Sequence, residues 1–116
     1  MIQDQDNTVL GVPFRYADLT NYQTGSVVSR TLISKPAGTV TLFAFAQGQS
    51  LSEHTAPFDA LVDVVDGEGI VIIDGEEHIL TTGQQIIMPA NIPHAVRADK
   101  PFKMVLVMIR QKKDET

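Results

Sequence analysis

The chain has 116 residues, the length of a single domain, and its content of 43% apolar and 20% charged residues is typical of a folded globular protein. It contains no cysteine and no tryptophan. The missing cysteines exclude disulfide bonds, thiolate metal sites, iron–sulfur clusters and catalytic thiols.

Charge and hydropathy narrow the range of partners. Nine basic residues against fourteen acidic residues give a formal net charge of −5, and there is no stripe of lysine or arginine, so nucleic-acid binding is not expected. The longest apolar run, residues 104–109, is too short to cross a bilayer, so no membrane partner is expected. The polar, acidic N-terminus is unlike a signal peptide, which predicts a cytoplasmic protein.

Glycine, proline, asparagine and aspartate interrupt the chain at short intervals, with β-branched and apolar runs between them. This rhythm is typical of an all-β sandwich or barrel. Strands are predicted, in chain order, at residues 26–34, 39–47, 60–65, 70–73, 77–80, 85–88, 94–98 and 103–110. The step Asp74-Gly75 predicts a tight hairpin, because both positions tolerate a positive φ.

The same pattern divides the chain into three parts. Residues 1–25 are predicted to form an N-terminal arm, with a short helix or turn within residues 16–22. Residues 26–110 are predicted to form the β-barrel domain, and residues 111–116 a C-terminal tail.

Several predicted strands are apolar on both faces, most clearly residues 39–46 and 104–109. In one open sheet they would leave bare hydrophobic surface. Packing two sheets together covers one face of each strand, and a second subunit would cover the other. The pattern therefore predicts a homodimer.

Two short motifs follow one another around the predicted hairpin. Together they resemble the motifs of the cupin superfamily, G-x5-H-x-H-x3,4-E-x6-G and G-x5-P-x-G-x2-H-x3-N. The matching residues are Gly48, His54 and Gly67 for the first motif, and Gly83, Pro89 and His94 for the second. The resemblance covers residues 27–109, most of the chain. It implies an antiparallel jelly-roll barrel, or double-stranded β-helix, of the small single-domain RmlC-like kind.

The resemblance also implies where a site would be. In metal-binding cupins, three histidines and one glutamate project inward from adjacent strands, and His54 and His94 match two of those positions. The other two positions hold Ala56 and Ala60, or Leu61 if the longer motif spacing is used. A catalytic zinc site normally has three protein ligands, so the metal site of this chain is expected to be degenerate.

Three further residues are candidates to join the histidines. Glu53 neighbours His54, but strand alternation should point it outward. Gln47 lies just before the first motif and could approach as a neutral oxygen ligand. Asp59 is one residue away from the glutamate position, so strand alternation points it elsewhere unless Pro57 introduces a bulge.

Two functions from different classes fit these residues. The first is a binding module that holds a small organic ligand, with His54 and His94 at the polar end of a pocket. The expected pocket walls are Ala56, Ala60, Val62, Met88 and Met108, although packing in the core or a dimer interface is the favoured interpretation of the two methionines. Neutral imidazole can donate and accept, which suits a carboxylate or hydroxyl ligand.

The second function is a metal-dependent enzyme. Cupins of this kind include dioxygenases, isomerases and decarboxylases. A divalent metal such as Zn, Ni, Mn or Fe would then be held by His54, His94 and one further ligand, whereas a metal-free enzyme would use either histidine as a general base.

Overall fold

The computed structural model describes residues 2–4 and 9–110. Apart from one 3-10 turn, every regular element in these ranges is a β-strand. The strands are β1 (Ile2–Asp4), β2 (Val27–Lys35), β3 (Gly38–Phe45), β4 (Ser50–His54), β5 (Ala60–Ile73), β6 (Glu76–Thr81), β7 (Gln85–Met88), β8 (His94–Arg97) and β9 (Phe102–Ile109), and the 3-10 turn is Tyr16–Asp18. The all-β prediction is confirmed.

The strands curl into a jelly roll of two layers. One layer contains β1, β2, β3, β9, the first half of β5, and β7; the other contains the second half of β5 with β4, β6 and β8. All described pairings are antiparallel except that of β1 with β2. Strand β5 joins the layers, because residues 60–67 pair with β9 and residues 68–73 pair with β6.

Most strand boundaries lie within two residues of those predicted, and two differences have a physical cause. The segments predicted at 60–65 and 70–73 are one strand, which shifts register between Val64 and Asp66 and then passes from one layer to the other. Its Gly67 has a φ of 76°, a conformation that suits glycine and places its backbone against Phe102. Strand β4 was not predicted, because its exposed polar sequence SLSEH lacks apolar alternation.

The predicted hairpin between β5 and β6 is present. Asp74 and Gly75 have φ values of 51° and 79°, as a two-residue turn of this kind requires.

The core lies between the two layers, and its packed side chains fill one end of the barrel. Phe45 and Phe102 are fully buried there, and their rings stack with centroids 4.7 Å apart. Val62, Val64 and Val71 of β5 are also fully buried beside them. Alternation along each strand sends every second side chain into this space, so the sequence pattern fills one end of the barrel with large apolar groups.

The outer face of the first layer is partly covered by residues 16–22, here called the covering segment. Lys103, a buried residue of β9, donates hydrogen bonds to the carbonyls of Ala17 and Thr20 at 2.6 and 2.7 Å. Its ammonium also lies 5.0 Å from the ring centroid of Tyr22, whose hydroxyl donates to Asp66. Arg30 of β2 donates to the carbonyl of Leu19 at 3.1 Å.

These contacts bear on the predicted homodimer, because they hold a part of the same chain against the outer face of the sheet. Leu42, Ala44 and Val105 lie outside the interior core cluster and are still buried. Leu42 pairs with Arg30 and Ala44 with Lys103, the two residues that hold the covering segment. The apolar side chains left exposed on the sheet include Ile33, Ile87 and Ile109.

No helix within residues 2–4 and 9–110 combines the length and the apolar character needed to cross a bilayer.

Candidate functional site

His54 and His94, here called the histidine pair, are brought together by strand pairing. Strands β4 and β8 are antiparallel neighbours, and their register places His54 directly opposite His94. Residues directly opposite one another on neighbouring strands project to the same face. The two Nε2 atoms are 3.1 Å apart, and the rings meet edge to face with centroids separated by 4.3 Å.

The other ring nitrogen of each histidine faces the backbone. His54 Nδ1 lies 2.9 Å from the carbonyl oxygen of Ser52, and His94 Nδ1 lies 3.2 Å from that of Ile92. A carbonyl oxygen only accepts, so both Nδ1 atoms carry the proton when the rings are neutral. In that state no proton lies between the two Nε2 atoms, and their 3.1 Å contact is a hydrogen bond only when one ring also carries a proton on Nε2.

The histidine pair lies where the barrel interior meets solvent. His54 is exposed, whereas His94 is only 5% exposed. Burial lowers the pKa of His94 below its ordinary value of 6.5; the Ile92 carbonyl opposes this effect and the neighbouring His54 reinforces it. His94 is therefore neutral at physiological pH.

The loop between β7 and β8 fixes the position of His94. Asn91 takes the place of the glycine in the second motif and has a φ of 66°, a left-handed conformation that asparagine tolerates. Its backbone N–H donates to the carbonyl of Ala56 at 2.7 Å, and the carbonyl of Pro93 accepts from Asp74 N–H at 2.8 Å. The middle of the loop and its C-terminal end are thus tied to neighbouring loops.

The histidine pair lines a cavity of about 340 Å³ inside the barrel, here called the barrel cavity. Of the residues predicted as its walls, Ala56, Ala60, Met88 and Met108 line it, and Val62 does not. Val62 has the same parity as Ala60 but lies further along β5, inside the packed core. The remaining apolar lining consists of Phe43, Leu51, Phe58, Val96, Met104 and Leu106.

Three hydroxyl residues of the barrel cavity were not predicted. Ser29 and Thr31 of β2 and Thr41 of β3 line it, and Thr31 pairs directly with Thr41 across the two strands. Among the described residues, none of these hydroxyls has a side-chain hydrogen-bond partner. Strand alternation could have identified Thr41 in the sequence, because Thr41 shares a strand face with Phe43, which points inward.

The three further metal-ligand candidates lie elsewhere. Glu53 is exposed and is not among the cavity residues. Asp59 accepts a hydrogen bond from the backbone N–H of Ala90 at 2.8 Å, and it lines a groove on the outside of the sheet. Gln47 is exposed and is not among the cavity residues. Within residues 2–4 and 9–110, no group of three or more histidine, aspartate or glutamate side chains could hold a metal ion.

Comparison with known proteins agrees with this architecture. A family model described as a cupin domain matches residues 41–110. A conserved protein of unknown function from Streptococcus pyogenes is 32% identical, with a TM-score of 0.83 over 87% of this chain and 89% of that chain. A cupin 2 conserved barrel domain protein from Leptotrichia buccalis is 44% identical, with a TM-score of 0.79 over 81% of this chain and 46% of that chain.

A third solved structure supports the fold alone. A cupin superfamily protein from Desulfitobacterium hafniense is 24% identical, with a TM-score of 0.82 over 96% of this chain and 99% of that chain. The search of curated proteins gives no match. The two motifs, the jelly-roll topology and the family match together lead to one conclusion: this chain belongs to the cupin family.

Proposed function

We propose that this cupin binds a small organic molecule in the barrel cavity, with the histidine pair as its polar contact. The observation that carries the proposal is the convergence of two Nε2 atoms, 3.1 Å apart, on a cavity of about 340 Å³ with mostly apolar walls. Ligand sites are usually concave and apolar, with a few polar groups that fix orientation, and they begin at about 300 Å³.

The two kinds of lining have separate roles in this proposal. Met88, Met104 and Met108 provide adaptable apolar surface, which contributes affinity by removing ligand area from water. The histidine pair supplies direction, because its backbone contacts at Nδ1 hold each ring in one orientation.

A screen of single-ring fragments by ligand-observed NMR tests this function. Fragments that bind the wild type are expected to lose binding to His94→Ala and to Ala60→Leu, which fills the cavity. His78→Ala is the matched control, because His78 lies on β6 and does not line the cavity. A library without binders, or binders that the two cavity variants retain, would refute the proposal.

A metal-dependent enzyme is the second candidate, and one observation favours it. The Nδ1 contacts leave both Nε2 lone pairs free to point at a shared ion. At Zn–N distances of about 2.05 Å, nitrogens 3.1 Å apart subtend an angle of about 100°, between octahedral and tetrahedral values.

The donor set argues against a complete metal centre within the described chain. Ala56 and Ala60 line the cavity where a third and fourth ligand would be needed. Any remaining ligands would have to come from water or from the bound molecule. Elemental analysis after purification without added metal decides the point: near-stoichiometric Zn, Ni, Mn or Fe would favour the enzyme of dioxygenase, isomerase or decarboxylase type.

We also propose that the protein is a homodimer. Ile87 and Ile109 are 61% and 70% exposed, and both line an apolar groove of about 610 Å³ on the outside of the sheet. A second copy seated there would remove these side chains from water. Light scattering should give twice the chain mass at tens of micromolar, and Ile87→Glu should give the monomer. A monomeric wild type would refute the proposal.

A further inference from the structure

We infer that the barrel cavity has a second polar subsite, formed by the hydroxyls of Ser29, Thr31 and Thr41, which holds an uncharged hydrogen-bonding group of the ligand. These three residues are here called the hydroxyl cluster. The ligand class that follows is a molecule of about one ring with an apolar body, one polar group for the histidine pair and a second, uncharged polar group at its other end. This inference rests on the proposed binding function and names the class of ligand.

Strand register gathers the hydroxyl cluster on one face of the first layer. Thr31 of β2 lies directly opposite Thr41 of β3, so their side chains project to the same face. Ser29 lies two residues before Thr31 on the same strand and shares that face. All three residues line the barrel cavity, where they form a polar patch bordered by Phe43 and Leu106.

The two polar subsites belong to opposite layers of the barrel. The histidine pair lies on β4 and β8 of the second layer, whereas the hydroxyl cluster lies on β2 and β3 of the first layer. The backbones of two sheets packed face to face are about 10 Å apart, and the side chains of both sheets shorten the gap between them. One ring with a substituent at each end can therefore contact both subsites.

The hydroxyl cluster has no hydrogen bonds within the protein that would explain it. Ser29 is only 3% exposed, yet within the described chain neither its hydroxyl nor those of Thr31 and Thr41 has a hydrogen-bond partner. A hydroxyl that leaves water without gaining a hydrogen bond costs free energy, and an apolar residue would avoid that cost. The three hydroxyls therefore suit a hydrogen-bonding group that enters the cavity.

The chemistry of the cavity wall requires that this group be uncharged. A serine or threonine hydroxyl both donates and accepts, so it can pair with a hydroxyl, a carbonyl or an amide. Apart from the histidine pair, the described residues that line the cavity include no ionisable side chain. A carboxylate or an ammonium at the hydroxyl cluster would lose its hydration without gaining an opposite charge.

Size and wall chemistry set the body of the ligand. An apolar cavity of about 150 Å³ is enough to hold benzene, so about 340 Å³ accommodates one ring with its substituents. Phe43 pairs with Met104, and Leu106 pairs with Thr41, and these three apolar side chains also line the cavity. The part of the ligand between its two polar ends therefore contacts an apolar wall.

Calorimetry with three single-ring probes tests the inference. 4-Hydroxybenzyl alcohol is polar at both ends, 4-methylphenol lacks one of its two hydroxyls, and terephthalate is charged at both ends. With the wild type, 4-hydroxybenzyl alcohol is expected to bind at least about fivefold more tightly than either of the other two, the effect of about one net hydrogen bond. The double variant Thr31→Val with Thr41→Val should remove the preference over 4-methylphenol.

Thr39→Val is the matched control. Thr39 lies on β3 two residues from Thr41, and its buried hydroxyl also has no partner among the described residues, but it does not line the barrel cavity. This variant should keep the preference of the wild type. Thermal denaturation checks that each variant is folded, and Ser29→Ala removes a hydroxyl of the cluster independently if the double variant does not fold.

The outcomes separate the inference from the function on which it rests. If 4-methylphenol or terephthalate binds the wild type as tightly as 4-hydroxybenzyl alcohol, the cavity binds small molecules but the second subsite is overturned. A preference that survives in the double variant, or that is lost equally in Thr39→Val, also overturns it. If no probe binds, fragments from the screen are compared on the wild type and the double variant: weaker binding to the double variant supports the subsite, and equal binding overturns it. If the screen is also empty, the binding function itself fails.

Discussion

Restoring the missing ligands should convert the histidine pair into a metal centre. The perturbation is the double variant Ala56→His with Ala60→Glu, at the two positions where metal-binding cupins carry a histidine and a glutamate. Both alanines line the barrel cavity together with His54 and His94. The 3.1 Å separation of the two Nε2 atoms is compatible with both nitrogens binding one zinc ion, since Zn–N bonds of about 2.05 Å would then subtend an angle of about 100°.

A lower bound can be set on the gain in metal affinity of the double variant. Residues that hydrogen-bond to a metal ligand and only orient it change metal affinity by about 10–100-fold each. A residue that binds the metal directly should change the affinity at least as much. Two added ligands should therefore raise the affinity for Zn²⁺ or Ni²⁺ by about 10²–10⁴-fold, or about 3–5 kcal/mol. Without metal the variant should be less stable than the wild type, because Ala60 is 4% exposed and its replacement buries a carboxyl group.

Competition with a chelating dye measures the affinity, and thermal denaturation with and without metal measures the coupled stability. The matched control is Ala56→Asn with Ala60→Gln, which adds polar bulk at the same positions with weaker ligands. His94→Ala in the double variant should return the affinity to the control value. A folded double variant that binds metal no more tightly than the wild type would refute the reasoning.

Three further predictions concern stability. Lys103→Met should lower the free energy of unfolding by about 2–4 kcal/mol, because it leaves one buried and one part-buried carbonyl of the covering segment without their donor. Gly69→Ala should cost about 1–3 kcal/mol, since a Cβ at this position overlaps the buried ring of Phe102. Acidification from about pH 7.5 to about pH 5.5 should lower the melting temperature, because the lowered pKa of His94 makes the unfolded chain bind more protons below pH 6.5. This acid sensitivity should shrink in His94→Gln.

Each of these has its own control. Lys100→Met, on an exposed side chain, should change the unfolding free energy by less than about 0.5 kcal/mol, and an equal loss in both lysine variants would contradict the role of the covering segment. The cost of Gly69→Ala should fall in a Phe102→Leu background, and an unchanged cost would rule out the overlap. His78→Gln should keep the acid sensitivity of the wild type. If it reduces that sensitivity as much as His94→Gln does, the effect does not arise from His94.

The sequence by itself determined the class of fold and the pairing of the two histidines. Turn residues are local signals, so Asp74-Gly75 predicts its hairpin without any tertiary information. The motif spacings place His54 and His94 at matching positions of neighbouring strands, and the observed register puts them opposite one another. Parity along the strand likewise placed Ala60 on the inner face.

Only the tertiary structure decided which inward side chains line a cavity and which fill the core. Val62 and Ala60 share the same parity, but the barrel closes around Val62, and alternation alone carries no information about depth. The tautomers were equally out of reach, because the acceptors of the Nδ1 protons are carbonyls positioned by the local backbone. The burial of Lys103 beneath the covering segment depends on carbonyls more than 80 residues away in the chain. Such contacts join residues that no local pattern connects, so they arise only when the chain closes on itself.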